Sequence, residues 1–191
     1  RNTYGELETT TLATWKQWFP FAKITYGGPI TSEIDLKLPD GTRMQMEVLF
    51  FPVDRPEEIR KLRSLELTGA WINEASEVPK AVLDMCTQRV GRFPPIKEGG
   101  TTWHGVLMDT NPPDDDSWWY RFAEKEKQDG WEFFKQPGGL IERMGEFFEN
   151  PLAENVKNLP GEYEYYRRQL AGKSKAWIKV FVLGTYGSGG D

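Results

Sequence analysis

A chain of 191 residues is about one domain, or one domain with a small appendage, and its 38% hydrophobic and 28% charged residues mark it as globular rather than disordered. A net charge of −5 argues against nucleic-acid binding through overall charge, so any such contact needs a local basic stripe or another segment. The single cysteine, Cys86, excludes an internal disulfide, and no apolar run approaches the ~18 residues of a membrane span.

The aromatic share of 14%, with eight Trp, points to a large core or to subunit contacts. The opening Arg1-Asn2-Thr3-Tyr4 has no initiator Met and reads as the start of a piece cut from something larger. Leu7, Leu12, Trp15 and Phe19 then fall at near-helical spacing over residues 7–19, and Pro20 ends that helix. Residues 33–51 predict a hairpin. Ile34, Leu36 and Leu38 alternate with charges, Pro39-Asp40-Gly41 supplies the turn, and Met44, Met46 and Val48 alternate back. Residues 49–53 continue apolar, as a central strand would. Asp54 is the expected N-cap of a helix to about Leu65, with Pro56 and Glu57 in its first turn.

Gly69-Ala70-Trp71-Ile72 is a short apolar strand that stops at Asn73-Glu74. Pro79 opens a helix with Val82, Leu83 and Cys86 on one side. Trp103 to Met108 is a further strand, followed by a helix from Trp118 to Lys127 and a strand-like Trp131 to Phe134. A helix at Tyr163 to Leu170 and a strand at Trp177 to Leu183 complete the reading. Strands alternating with helices predict an α/β sheet with parallel members.

Two segments carry chemistry. LTGAWINEASE is an apolar strand ending in an acid, the pattern by which P-loop ATPases deliver a water-polarising glutamate to the crevice at the carboxyl edge of a sheet. Glu74 fits that role, and Asn73 stands where a metal-associated Asp is commoner. A buried strand ending in a solvated glutamate has the same pattern. GVLMDTNPP is a second such strand, whose Thr110 and Asn111 suit the sensing of a phosphate; a plain turn before two prolines reads alike. An EF-hand reading of Asp109 and Asn111 fails at Pro113, and Asp114-Asp115-Asp116 reads as a solvated helix N-terminus. Ala171-Gly172-Lys173-Ser174 is a decoy, because a P-loop needs Gly five residues before its Gly-Lys and Arg167 is there; Gly172 is instead expected as a helix C-cap. His104, the one histidine, leaves no multi-histidine site. Cys86 on an apolar helix face is no nucleophile, and Trp118-Trp119-Tyr120 reads as core packing ahead of base stacking.

RNTYGELETTTLATW, KLRSLELTGAWINEASEVPKAVLDMCTQRVGRFP, GVLMDTNPPDDDSWWYRF and WIKVFVLGTYG together resemble, in the same order, the large terminase subunit of tailed phages and prophages. The resemblance implies a P-loop ATPase domain followed by an RNase-H-like nuclease, in a homo-oligomeric ring on the portal that pumps double-stranded DNA and cuts the concatemer. It implies Glu74 as catalytic glutamate, Asn73 as the nucleotide- and metal-associated position, and Thr110 and Asn111 as the coupling motif. It gives Arg63 as a candidate arginine finger, with Arg89 and Arg92 as substitutes, and assigns no direct metal ligand.

The implied fold is part of a P-loop NTPase-type sheet with flanking helices. Residues 1–130 are expected as the C-terminal part of the ATPase core, 131–183 as a lid-like C-terminal subdomain, and 184–191 as the start of the link to the nuclease. ATP and Mg²⁺ are the implied cofactors, bound mostly by a P-loop upstream of Arg1, so the chain alone is expected to be inactive. The implied partners are DNA, the portal and the small terminase subunit, in the host cytoplasm and transiently on the procapsid, with no membrane. Two rivals remain: another P-loop translocase of helicase type, and a non-catalytic prophage remnant serving as a capsid-assembly or DNA-binding module.

Overall fold

The computed structural model describes residues 3–53 and 55–187. The chain is mixed α/β and divides into two compact units, one running to Asp109 and the other beginning at Thr110. The first unit opens with α1 (Tyr4–Glu6), a π-helical turn (Leu7–Thr11) and α2 (Leu12–Trp18). The widening has a local cause. Thr9 and Thr10 donate their hydroxyls to the carbonyls of Gly5 and Glu6 at 2.8 and 2.6 Å, which competes with regular α-helical bonding.

This helical stretch packs on a three-stranded antiparallel sheet of order β1 (Lys23–Thr25), β2 (Ile30–Lys37) and β3 (Arg43–Phe50). Leu7, Leu12, Ile30 and Phe50 form the buried cluster, with Trp15, Ile24 and Val48 against it. Truncating a fully buried leucine such as Leu12 would cost about 2–5 kcal/mol. The expected hairpin is present, and its turn closes through Thr42 N–H donating to Asp40 Oδ1 at 2.9 Å. The expected continuation over 49–53 as a central strand is not. β3 ends at Phe50 and is the outer strand of its sheet, because Pro52 has no N–H to give to a ladder.

The expected second helix is α3 (Pro56–Lys61), followed by a 3₁₀ turn (Leu62–Ser64), with Arg55 at the N-cap position; Asp54 lies outside the described residues. Next come β4 (Gly69–Asn73), a 3₁₀ turn (Ala75–Glu77), α4 (Lys80–Arg89) and β5 (Gly105–Asp109). β4 and β5 form a parallel pair, as the alternation of strands and helices predicts. Val82, Leu83 and Cys86 of α4 are buried, as is Ile72 of β4, and α4 packs against β5. β5 begins two residues later than expected. Trp103 leaves the strand and lies over the glycines that open both strands, where a Cβ would meet its ring at 2.8 Å from Gly69 and 3.1 Å from Gly105.

In the second unit, α5 (Trp118–Tyr120) runs into a π-helical turn (Arg121–Lys125). Trp131 to Phe134 is irregular rather than the expected strand; Trp131 and Phe133 meet Phe122 edge-on, with ring centroids 5.0 and 5.3 Å away. A hairpin absent from the sequence reading follows, β6 (Leu140–Arg143) and β7 (Glu146–Glu149), then α6 (Tyr163–Arg168). The expected strand at Trp177–Leu183 is a helix, α7 (Lys175–Phe181). Ser174 caps it by accepting from Trp177 N–H at 3.1 Å, and Trp177 stacks on Phe181 one turn later at 4.8 Å. Gly172, at φ +72°, closes the turn between α6 and α7. Gly138 and Gly139 permit a close approach, since a Cβ there would lie 2.2 Å from the Leu183 backbone and from the Tyr166 ring. Among the described residues no helix is long and apolar enough to cross a membrane.

Candidate functional site

β4 and β5 are both five residues long, both begin with glycine, and pair in register from Gly69↔Gly105 to Asn73↔Asp109. The two polar residues that end the strands therefore face each other at the carboxyl edge, the edge where open α/β sheets bind ligands. Asn73 Nδ2 donates to Asp109 Oδ2 at 2.8 Å, Trp71 Nε1 donates to Asp109 Oδ1, and Thr11 Oγ1 donates to Asn73 Oδ1 at 3.0 Å. The order of donors is fixed by chemistry. An ionised carboxylate only accepts, so the amide must turn its NH₂ to Asp109 and its oxygen to the threonine hydroxyl.

Immediately beyond β4, Glu74 takes a left-handed conformation, φ +53° and ψ +53°, and its carbonyl accepts from Glu77 N–H at 2.9 Å. For a side chain other than glycine this conformation costs about 1–2 kcal/mol, and such strain concentrates at functional positions. Ala75, which opens the 3₁₀ turn that follows, is fully buried. A cleft of about 420 Å³ opens beside this end, lined by Thr11, Trp15, Trp18, Trp71 and Asn73 among others, with no charged residue in its wall.

The structure thus brings Asn73 together with Asp109, which the sequence places at a strand end and in a failed calcium loop without giving it a role. Two glycine-led strands of equal length, GAWIN and GVLMD, were the available signal. Thr110 and Asn111 open the second unit, half-buried and exposed respectively. Arg63 is exposed in the 3₁₀ turn after α3. Arg89 and Arg92 sit at the other end of β4. The Arg89 carbonyl accepts from Leu67 N–H at 3.2 Å, and Arg92 N–H donates to the Leu67 carbonyl at 3.0 Å. Leu67 precedes Asn73 by six residues, about 20 Å of extended chain at 3.3 Å per residue. The His104 ring lies against Gly91, where a Cβ would meet it at 3.1 Å. Burial pushes the Cys86 thiol up to about 11, so it is no nucleophile at neutral pH. Trp119 packs edge-on against Trp118 and Phe133, and Tyr120 against Tyr186.

No protein-family profile and no curated relative matches the sequence. Among solved structures, the fold is similar to that of the large terminase from the thermophilic bacteriophage D6E, with a TM-score of 0.64 over 96% of this chain and 13% sequence identity. At that identity the likeness is one of fold. This chain spans 38% of the length of that terminase.

Proposed function

We propose that this chain is a portion of the ATPase motor domain of a phage terminase large subunit, which couples Mg²⁺-ATP hydrolysis to packaging of double-stranded DNA. The observation that carries the reading is the parallel β4–β5 pair, ending in register on Asn73 and Asp109 with Glu74 strained just beyond. A terminase-like fold over nearly the whole chain supports it. Glu74 is the group that polarises the attacking water, and Thr110 and Asn111, which follow β5 in the chain, carry the coupling. The oxygens of Asp109, Asn73 and Thr11 are hard donors suited to Mg²⁺, which typically takes one or two carboxylates together with substrate phosphates. No GxxxxGK motif occurs in these residues, and the proposal assigns the phosphate-holding loop to another segment. The portal, the small terminase subunit and a ring of copies are the partners it implies.

The test is Glu74→Gln in the motor protein that also carries a P-loop. Shape is kept and the carboxylate lost, so ATP should still bind while turnover falls by roughly 10²-fold or more. Thr110→Ala should impair packaging more than basal hydrolysis. Turnover of Glu74→Gln within about threefold of the parent, where loss of a general base predicts ~10²-fold, would reduce Glu74 to a strand-end carboxylate.

A further inference from the structure

We propose that the cleft between α2 and β4 is a binding site for a small alkylated ammonium ion. Its wall is aromatic and uncharged, with Trp15, Trp18, Phe19 and Trp71 beside threonines of the first helices and Asn73. Its volume of about 420 Å³ falls in the range of small-molecule sites, roughly 300–1,000 Å³. The polar groups of the wall decide the charge of the occupant, because their protons are already committed. Thr10 Oγ1 donates to the Glu6 carbonyl at 2.6 Å and Thr11 Oγ1 to Asn73 Oδ1 at 3.0 Å. The indole N–H of Trp15 is held by Ser32, and the indole of Trp71 and the Asn73 amide both donate to Asp109. An anion meets no fixed cation in this wall. Lys16, on the same helix as Trp15, lies instead over the Tyr26 ring, 5.3 Å from its centroid. What the wall still offers is the π faces of its rings and threonine lone pairs, with the Asp109 carboxylate one hydrogen bond behind Trp71 and Asn73. A cation complements such a surface, and Trp is the ring that attracts one best. A guanidinium is matched best by a carboxylate fork, and no carboxylate stands in the wall. An ammonium sheathed in methyl groups needs no acceptor and buries apolar surface against the rings. Trp18 and Trp71 are 72% and 54% exposed, so their rings are open to it.

The tryptophans also supply the reporters. The experiment titrates choline into the ¹⁵N-labelled chain, and in parallel its neutral analogue with a quaternary carbon in place of the nitrogen. Choline should shift the indole signals of Trp15, Trp18 and Trp71 to saturation. The Trp103 signal should stay in place, since that ring lies over the glycines at the far end of β4 and β5. The dissociation constant of choline should be about fivefold or more below that of the analogue, as attraction to the rings requires. A merely apolar cleft orders the two the other way, because only the cation must shed water. Trp18→Leu keeps an apolar side chain at an exposed position and should weaken choline about fivefold, with the rest of the spectrum unchanged. Trp71→Leu should do the same. An analogue that binds as tightly as choline overturns the proposal, as do shifts that fail to saturate or appear equally at Trp103. Choline affinity unchanged in a folded Trp18→Leu overturns it as well. Tighter binding of ethylguanidinium than of choline would assign the cleft to an arginine side chain and overturn the ammonium reading. Choline binding stands or falls whether or not Glu74 proves catalytic, so failure of the nucleotide reading is seen separately, as unchanged ATPase in Glu74→Gln of the longer protein.

Discussion

Asn73 and Asp109, 36 residues apart in the chain, share a hydrogen bond of 2.8 Å across the last rung of the β4–β5 ladder. Beyond that rung the chain turns at Glu74, whose φ is +53°, and Ala75 after it is fully buried. A glutamate in a position that suits glycine is a stability cost at the residue proposed to do chemistry.

That cost is measurable in the chain as it stands. Comparing Glu74→Gly with Glu74→Ala removes the carboxylate from both and leaves the left-handed penalty in one. The glycine variant should be more stable by about 1 kcal/mol in urea unfolding, since the Cβ penalty of 1–2 kcal/mol outweighs the extra freedom of glycine when unfolded. An alanine variant as stable as the glycine one would mean that Glu74 is not held left-handed in solution.

Trp15 and Ser32 supply a second test, in the sheet core. Trp15 Nε1 donates to Ser32 Oγ at 3.0 Å, and Ser32 is fully buried. Ser32→Ala leaves an indole N–H without its acceptor, a loss of about 1–3 kcal/mol. Trp15→Phe removes the donor and some packing volume. The double variant should be less destabilised than the sum of the two, by about 1 kcal/mol, because each single change orphans a group that the double change removes. Strict additivity would show that the bond contributes nothing.

In the second unit, Glu124 gives a pH dependence whose sign follows from its partners. It accepts from Lys135 Nζ at 2.7 Å and from Tyr186 Oη at 2.8 Å. The Lys135 bond holds its carboxyl below the ordinary value of 4.5, burial opposes, and the Tyr186 bond adds to the lowering. A depressed folded value means stability that is complete above the ordinary carboxylate range and lost as pH falls through the folded value. Burial, and after it the bond to Glu124, also pushes the Tyr186 phenol up, keeping the donor protonated at neutral pH. Denaturation midpoints followed from neutral pH down through about pH 4 should fall more steeply in the wild type than in Glu124→Gln. Equal slopes would rule out this contribution.

Much of the first unit was legible because its signals are local. Ile34, Leu36 and Leu38 alternate before a Pro-Asp-Gly turn, and Val82, Leu83 and Cys86 recur at helical spacing before the glycine at 91. The failures were decided by what local pattern omits. Trp177-Ile178-Lys179-Val180-Phe181 is apolar and partly β-branched, so it reads as a strand, and the Ser174 cap with the Trp177–Phe181 stack makes it a helix. The β6–β7 hairpin was hidden because its turn puts Met144 at φ +52°, where turn chemistry favours Asn or Gly. Glu74 and Asn73 were readable as the end of a strand. Asp109 was readable as a strand end too, but not its pairing with Asn73, which depends on the register between two strands.

If copies form the proposed ring, Arg63 is the candidate to reach the site from a neighbour. The ordinary explanation of cations on this helix is pairing with its glutamates, and it holds for Arg60, 3.5 Å from Glu57, and for Lys61, 2.7 Å from Glu58. Arg63 is exposed in the turn that follows and makes no ion pair among the described residues. A finger needs a charge that cannot be lost and a fork that matches phosphate oxygens, both of which arginine has, and contributes about 10³–10⁵ in rate. Arg89 is less suited, because its Nε is buried without an acceptor in the last turn of α4. In this chain Arg63→Ala should change stability by no more than about 0.5 kcal/mol, which separates chemistry from folding. In the longer motor protein proposed above, neither Arg63→Ala nor Glu74→Gln subunits should hydrolyse ATP alone. In a mixed ring an Arg63→Ala subunit keeps its own Glu74, and a Glu74→Gln neighbour lends its arginine. Hydrolysis should therefore return on mixing. Rings proven to be mixed that stay inactive would remove Arg63 from the trans role.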